Sequence, residues 1–218
     1  MRIAVLGTGM VGIALAGKLH ALGHEVTMGA REAGNEKARE WAHAAGSGAR
    51  EGSFADAASF GEIVVNCTAG THSLDALDAA GAGNLAGKVL VDVANPLDFS
   101  RGMPPTLTVA NTDSLGERIQ RRFPQARVVK ALNTVNCAVM VDPAAVPGPH
   151  HLFVCGDDAA AKRTVTDLLA TFGWPADRVI DLGGITAARG TEMFLPLWVR
   201  LYGVLGTPMF NVAVMRAT

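Results

Sequence analysis

Residues 1–12 read MRIAVLGTGMVG: an apolar run that breaks at Gly7, Gly9 and Gly12 and resumes as MVGIALAGKLHALG. A short apolar run bounded by glycine fits a buried strand, and the longer segment stopped by Gly23 predicts a helix that starts inside the glycine turn. Each glycine has its own task in such a turn. Gly7 permits the tight bend, Gly9 removes the side chain that would block a phosphate group, and Gly12 lets helix and strand pack closely. Together with Thr8, Met10 and Val11, these residues form a helix N-terminus whose free N–H groups and positive dipole end favour a pyrophosphate. The G-x-G-x-x-G string alone is weak, because glycine-rich chains produce it by chance. Strand, turn, helix and second strand in that order give it weight.

Outward from this turn, apolar runs alternate with longer amphipathic or alanine-rich segments. EVTMGA, EIVVNCTA, KVLVDVAN and RVVKALN read as strands, and NEKAREWAHAAG, SLDALDAAG and SLGERIQRRFP as helices between them. Strands separated by helices of this length imply an α/β fold: a Rossmann-type, mostly parallel sheet with helices on both faces. Proline and glycine cluster in DPAAVPGPHH, the best place for a boundary or a long crossing loop. The expected division is a dinucleotide-binding domain at residues 1–140 and a small C-terminal α/β extension at 141–218. The extension holds the strands HLFVCG and RVIDLG, the helix DAAAKRTVTDLLATFG and one closing helix, ARGTEMFLPLWVRLYGVLG. The apolar Phe194, Leu195, Leu197, Trp198, Leu201 and Tyr202 of that helix would wall a pocket, cover the sheet or bury a subunit interface, and a homodimer is expected.

Composition narrows the function. A net charge of −1 over 218 residues argues against nucleic acid as a partner. No apolar run is long enough for a bilayer, and the N-terminus lacks a signal-peptide pattern, so neither a membrane nor export is expected. Cys67, Cys137 and Cys155 are odd in number and widely spaced. They fit no disulfide framework or zinc site, read as small buried apolar residues, and point to a reducing cytoplasm. His150 and His151 are adjacent, so in an extended strand they would point to opposite faces and make a poor metal pair. No Ser/His/Asp set, paired-carboxylate motif or metal cluster is evident, and no catalytic residue is predicted.

The end of the second strand bears on which dinucleotide would bind. An acid there would accept hydrogen bonds from a ribose 2′-OH and repel a 2′-phosphate. The sequence has Gly29, Ala30 and Arg31 instead, with Lys37 a turn or two later. The planar guanidinium of Arg31 suits a phosphate, so NADP(H) is the expected cofactor. In NCTAG (residues 66–70), Thr68 and Ala69 are small enough to let a cofactor approach the strand edge, and His72 follows directly. Asn95 ends the next strand, with Asn133 and Thr134 at the end of the one after, near the expected nicotinamide. Asn95 before a proline is equally ordinary turn chemistry.

With that glycine turn, the segments GAR, VDVANPL, FPQARVVKALNTV, VCGDD and IDLGGITAARGTE resemble the NADPH-dependent F420 oxidoreductase family along essentially the whole chain. The same string is similar to the cytosolic oxidoreductase domain of the STEAP metalloreductases. The resemblance implies hydride transfer between NADP(H) and a second flat redox ring, the deazaflavin F420 in one branch and a flavin in the other. It implies that Gly7, Thr8, Gly9, Met10 and Val11 cradle the pyrophosphate and that Arg31 holds the 2′-phosphate. Thr68 and Ala69 would contact the middle of the cofactor, and Asn133 and Thr134 would border the nicotinamide. Two positions depart from the archaeal F420 reductases: Ala30 stands where they have a serine, and Asn133 where they have a histidine. Two other readings stay open, a small imine or carbonyl reductase and an NADP(H)-binding sensor without turnover. The former usually carries a large helical dimerisation domain, for which too few residues follow position 140.

Overall fold

A strand covered on both faces needs apolar side chains at successive positions. Strand β1 (Arg2–Leu6) is built that way, with Ile3 and Val5 facing one core and Ala4 and Leu6 the other. The computed structural model describes residues 1–217. After β1 come α1 (Met10–Ala21), β2 (Glu25–Ala30), α2 (Glu36–Ala45), β3 (Ala49–Ser53), α3 (Phe54–Phe60) and β4 (Ile63–Asn66). Helices α4 (Ser73–Ala80) and α5 (Ala82–Leu85) lead to β5 (Val89–Asp92) and a small hairpin, β6 (Leu97–Asp98) with β7 (Thr106–Leu107). Next are α6 (Leu115–Arg122), β8 (Arg127–Ala131), α7 (Cys137–Val141), β9 (Leu152–Cys155) and α8 (Ala159–Phe172). The last elements are β10 (Val179–Asp181), α9 (Ala188–Met193) and α10 (Leu195–Leu205).

The main sheet has the order β10-β9-β8-β5-β4-β1-β2-β3. Its strands are parallel except where β9 runs against β8, with Lys130 opposite Cys155. The chain winds outward from β1 to β3, then returns to place β4 on β1's other side. Between β1 and β4 the helices change faces, which opens a crevice at the carboxyl ends of those strands. Helices α1, α2, α7 and α8 bury Leu15, Leu19, Trp41, Met140 and Leu169 on one face of the sheet. Helices α3, α4, α6 and α9 bury Ala57, Leu77, Ile119 and Ala188 on the other. The sheet runs through the expected boundary at residue 140, since β9 and β10 extend it beyond β8.

Several features differ from the sequence reading, among them α5, α7 and the β6–β7 hairpin, where no element was expected. Strand β3 and helix α3 were not anticipated, because AREGS has no apolar run and occupies the sheet's edge. The closing helix is two helices, divided at Phe194 with Pro196 near the start of α10. Cys155 is buried as expected, but Cys67 and Cys137 are only partly so. No helix among the described residues is long and apolar enough to cross a membrane.

The N-terminus of α6 is tied to α9. Ser114 caps it by accepting from the Glu117 amide (3.1 Å), and the Glu117 carboxylate receives Arg189 at 2.6 and 2.9 Å. Arg189 is the main reason the Glu117 carboxyl sits below its ordinary value of 4.5. A lowered native pKa contributes stability that is complete above the ordinary value and is lost as pH falls through the native one. The difference in Tm between wild type and Glu117→Gln is therefore expected to shrink between about pH 7 and about pH 3. A difference that stays constant over that range would show that the ion pair is not its source.

Candidate functional site

The glycine turn sits at the crevice, and its three glycines differ as the motif requires. Gly7 has φ +119°, and a Cβ there would lie 2.8 Å from the Cys67 carbonyl oxygen. A Cβ on Gly12 would lie 2.0 Å from the Gly7 carbonyl oxygen, so helix and strand touch through backbone alone. Gly9 is different: its backbone is extended (φ −79°, ψ 179°), and a Cβ would meet nothing within 4 Å. Gly9 is also the N-cap of α1, with no side-chain cap and no acid in the first turn. The first intrahelical bond is Ile13 N–H to Gly9 O (2.9 Å), which leaves the preceding amides available to a ligand. Open space above an uncapped helix N-terminus fits a pyrophosphate.

Two clefts meet at this turn. The first, of about 620 Å³, is lined by Gly7, Thr8, Gly9 and Arg31 on one side and by Thr68, Ala69 and His72 beyond β4. Arg31 is exposed at the end of β2, and none of the ion pairs among the described residues involves it. Asn35 also lines this cleft while capping α2 through a bond from the Ala38 amide (3.3 Å). Lys37 lines neither cleft. The buried face of α2 carries Ala38 and Trp41, and Lys37 lies off that stripe in solvent. Gly12 lines neither cleft as well, since it is the packing contact beneath the turn.

The second cleft, of about 570 Å³, shares Cys67, Thr68 and Ala69 with the first. Met10, Val11, Asn95, Asn133 and Thr134 border it, and Phe99, Cys137, Leu195 and Trp198 complete its walls. Leu132 is in the left-handed region (φ +64°), a strained conformation for a bulky residue, just before Asn133 and Thr134. Asn95 and Asn133 bind reciprocally: the Asn95 amide donates to Asn133 O (2.8 Å), and the Asn133 amide donates to Asn95 Oδ1 (2.9 Å). They clamp the ends of β5 and β8 together and spend part of their bonding capacity on each other. The Thr134 hydroxyl is buried and has no hydrogen-bond partner among the described residues, which leaves it available to a ligand's polar edge. Trp198 lies between Tyr202 and Phe210, at centroid distances of 5.8 and 5.2 Å. Phe210 belongs to a C-terminal tail held by His150 and His151, whose Nδ1 atoms accept from Asn211 Nδ2 (2.8 Å) and the Val214 amide (3.1 Å).

Among the described residues, no charged side chain lines the second cleft. Although Cys67 as a residue is only partly buried, burial around its sulfur, reinforced by the Asp92 carboxylate, pushes the thiol above its ordinary range and disfavours the thiolate that a nucleophile would need. Below the cleft floor lies a group that the sequence reading missed. Lys130 contacts Asp92 and Glu192 at 2.8 Å each, with all three side chains at 0–1% exposure. Burial alone would pull Lys130 down, but the two carboxylates outweigh it and hold the ammonium above its ordinary value. A lysine and an aspartate inside the apolar strands RVVKA and VLVD were the available signal. Gly70, which the sequence offered with Thr68 and Ala69 as a small residue at the strand edge, is a packing contact: a Cβ there would collide with Asn95 O, so the turn after β4 packs directly on the loop after β5.

Among known proteins, the family model described as NADP oxidoreductase, coenzyme F420-dependent, matches residues 2–96. The F420-dependent NADP reductase of Methanocaldococcus jannaschii is 30% identical over 212 residues, covering 92% of both chains. The rat metalloreductase STEAP3 is 33% identical over 122 residues, which span 54% of this chain but only 22% of that protein. A crystal structure from Arthrobacter sp. FB24, provisionally described as an F420-dependent NADP reductase, is 54% identical, with a TM-score of 0.93 and 99% of this chain covered. A reductive aminase from Aspergillus terreus shares the fold at 20% identity (TM-score 0.67), although this chain covers only 62% of it. The glycine turn, the sheet around it and a likeness that runs the length of the chain agree: the protein is an NADP-dependent oxidoreductase and belongs to the F420-dependent NADP reductase family.

Proposed function

We propose that the protein transfers hydride between NADP(H) in the first cleft and a flat redox ring in the second, and that this ring is a deazaflavin of the F420 type. The observation that carries the reading is the uncharged second cleft. Reducing a carbonyl or imine builds charge on one atom, and an enzyme for it gains from a positioned proton donor. A conjugated tricycle spreads that charge itself and needs only stacking and orientation. The first cleft would hold the pyrophosphate on the amides after Gly9 and the 2′-phosphate on Arg31. Thr68 and Ala69 would line the passage between the clefts, with Thr134 offering its free hydroxyl to the nicotinamide edge. Bound NADPH supplies the hydride, and solvent supplies the proton that completes the reduced acceptor. Residues 141–218 contribute Leu195 and Trp198 to the acceptor wall.

The test is a stopped-flow comparison of F420, FMN, FAD and a cyclic imine as oxidants of NADPH. Loss of deazaflavin absorbance with F420, far faster than any reaction with the others, is the expected result. Larger side chains at Thr134 or Cys137 should slow it. Turnover of FMN or FAD without F420 would overturn the acceptor assignment, and NADPH binding with no turnover would indicate a sensor.

A further inference from the structure

The cluster of Lys130, Asp92 and Glu192 ties together several of the segments that wall the second cleft. Its ammonium has three acceptors: Asp92 Oδ2, Glu192 Oε1 and the Ala94 carbonyl. Asp92 Oδ1 accepts from the Ala94 amide (3.2 Å) and from Asn66 Nδ2 (2.9 Å). Asn66 Oδ1 in turn accepts from the Thr68 hydroxyl (2.7 Å). Glu192 also accepts from the Leu115 and Gly116 amides at the start of α6 (2.8 and 3.0 Å). The loops after β4 and β5, strand β8 just before Asn133, and helix α9 one turn before Leu195 are thus fastened at one point.

We propose that Lys130, Asp92 and Glu192 are positioning residues: the cluster sets the spacing between the Asn133–Thr134 wall and the Leu195–Trp198 wall, and with it the rate of hydride transfer. This rests on reading the second cleft as the acceptor site. Apolar residues of the same volume would hold these elements together at least as well, so stability does not explain buried charges. Charge-assisted bonds fix direction and distance where apolar contact does not. Hydride transfer needs reacting atoms about 3–3.5 Å apart, and a 1 Å misplacement costs on the order of 100-fold.

Lys130→Met leaves two buried carboxylates facing each other and threatens folding, so the informative variant is Lys130→Met/Glu192→Gln, which removes one charge of each sign. In stopped flow with F420, its hydride-transfer rate should fall roughly 10- to 100-fold while NADPH affinity stays within about two-fold. The isotope effect with 4-deuterated NADPH should become more temperature-dependent, a change that lower stability alone would not cause. A folded double variant with wild-type rate and isotope effect would overturn the proposal. Native-state hydrogen exchange of the unaltered protein needs neither acceptor nor variant. Amides of residues 133–137 and 195–205 should open together, with one denaturant dependence, and independent opening would overturn the coupling. Absence of F420 reduction by the wild type would refute the acceptor reading alone and leave exchange to decide this one.

Discussion

Replacing Gly9 by valine is expected to abolish NADP(H) binding while the protein folds as before. The two halves of that expectation rest on separate observations. The extended backbone at Gly9 is open to any residue, and a Cβ there meets nothing within 4 Å, so a branched side chain starts in open space with no backbone strain. That same open space is where a pyrophosphate would meet the first amides of α1. Filling it loses at least two charge-assisted hydrogen bonds, worth about 3–6 kcal/mol, or roughly a hundred-fold or more in affinity. Gly7 and Gly12 cannot serve as the test. One has φ +119°, the other has a carbonyl oxygen 2.0 Å from its missing Cβ, and substitution at either damages the turn itself. Titration of NADPH fluorescence, beside a thermal melt, separates the two effects. A folded Gly9→Val protein that binds NADPH normally would remove the glycine turn from the cofactor site.

The glycine turn was legible because every part of it is local: strand, turn and helix lie within the first twenty-one residues. The alternation of buried strands and helices was legible for the same reason. Strand β3 was not, because edge position frees a strand from the need for apolar residues on both faces, and AREGS then resembles a loop. Lys37 shows the limit in the other direction. Its distance in sequence from Arg31 suggested a second phosphate cation, but the Asn35 cap starts α2 at Glu36, and Ala38 and Trp41 fix which side faces inward. The second cleft was half visible. Asn95, Asn133 and Thr134 could be placed at strand ends by counting, and the closing helix offered Leu195 and Trp198 as a pocket wall among other readings, whereas Phe99 joins them only through tertiary packing. The buried cluster shows the same division. Lys130 and Asp92 stand out inside apolar strands, but nothing in the sequence pairs them with Glu192 on a distant helix.

Arg31→Ala is expected to weaken NADPH binding by roughly 10- to 150-fold and to leave NADH nearly unchanged, the equivalent of one charge-assisted bond of about 1.5–3 kcal/mol. Arg31 suits this test because it forms no ion pair among the described residues and is exposed, so its removal breaks nothing within the fold. The neighbouring residues make its share of the 2′-phosphate large. Ala30 has no hydroxyl to assist, and Lys37 is exposed and lines neither cleft. Thr8, His72 and Asn35 are polar residues of the same cleft; Asn35 Oδ1 accepts the Ala38 amide, while its Nδ2 can still donate to a ligand. Among the described residues Arg31 is the only Arg or Lys that lines the first cleft, and Ala30→Ser is expected to strengthen NADPH binding by supplying a further donor. A pH dependence of the NADPH preference is expected to follow the second ionisation of the 2′-phosphate, at about pH 6. Equal losses of NADPH and NADH affinity in Arg31→Ala would place the 2′-phosphate elsewhere. Loss of preference in Lys37→Ala, with Arg31→Ala silent, would reverse the assignment of the two cations.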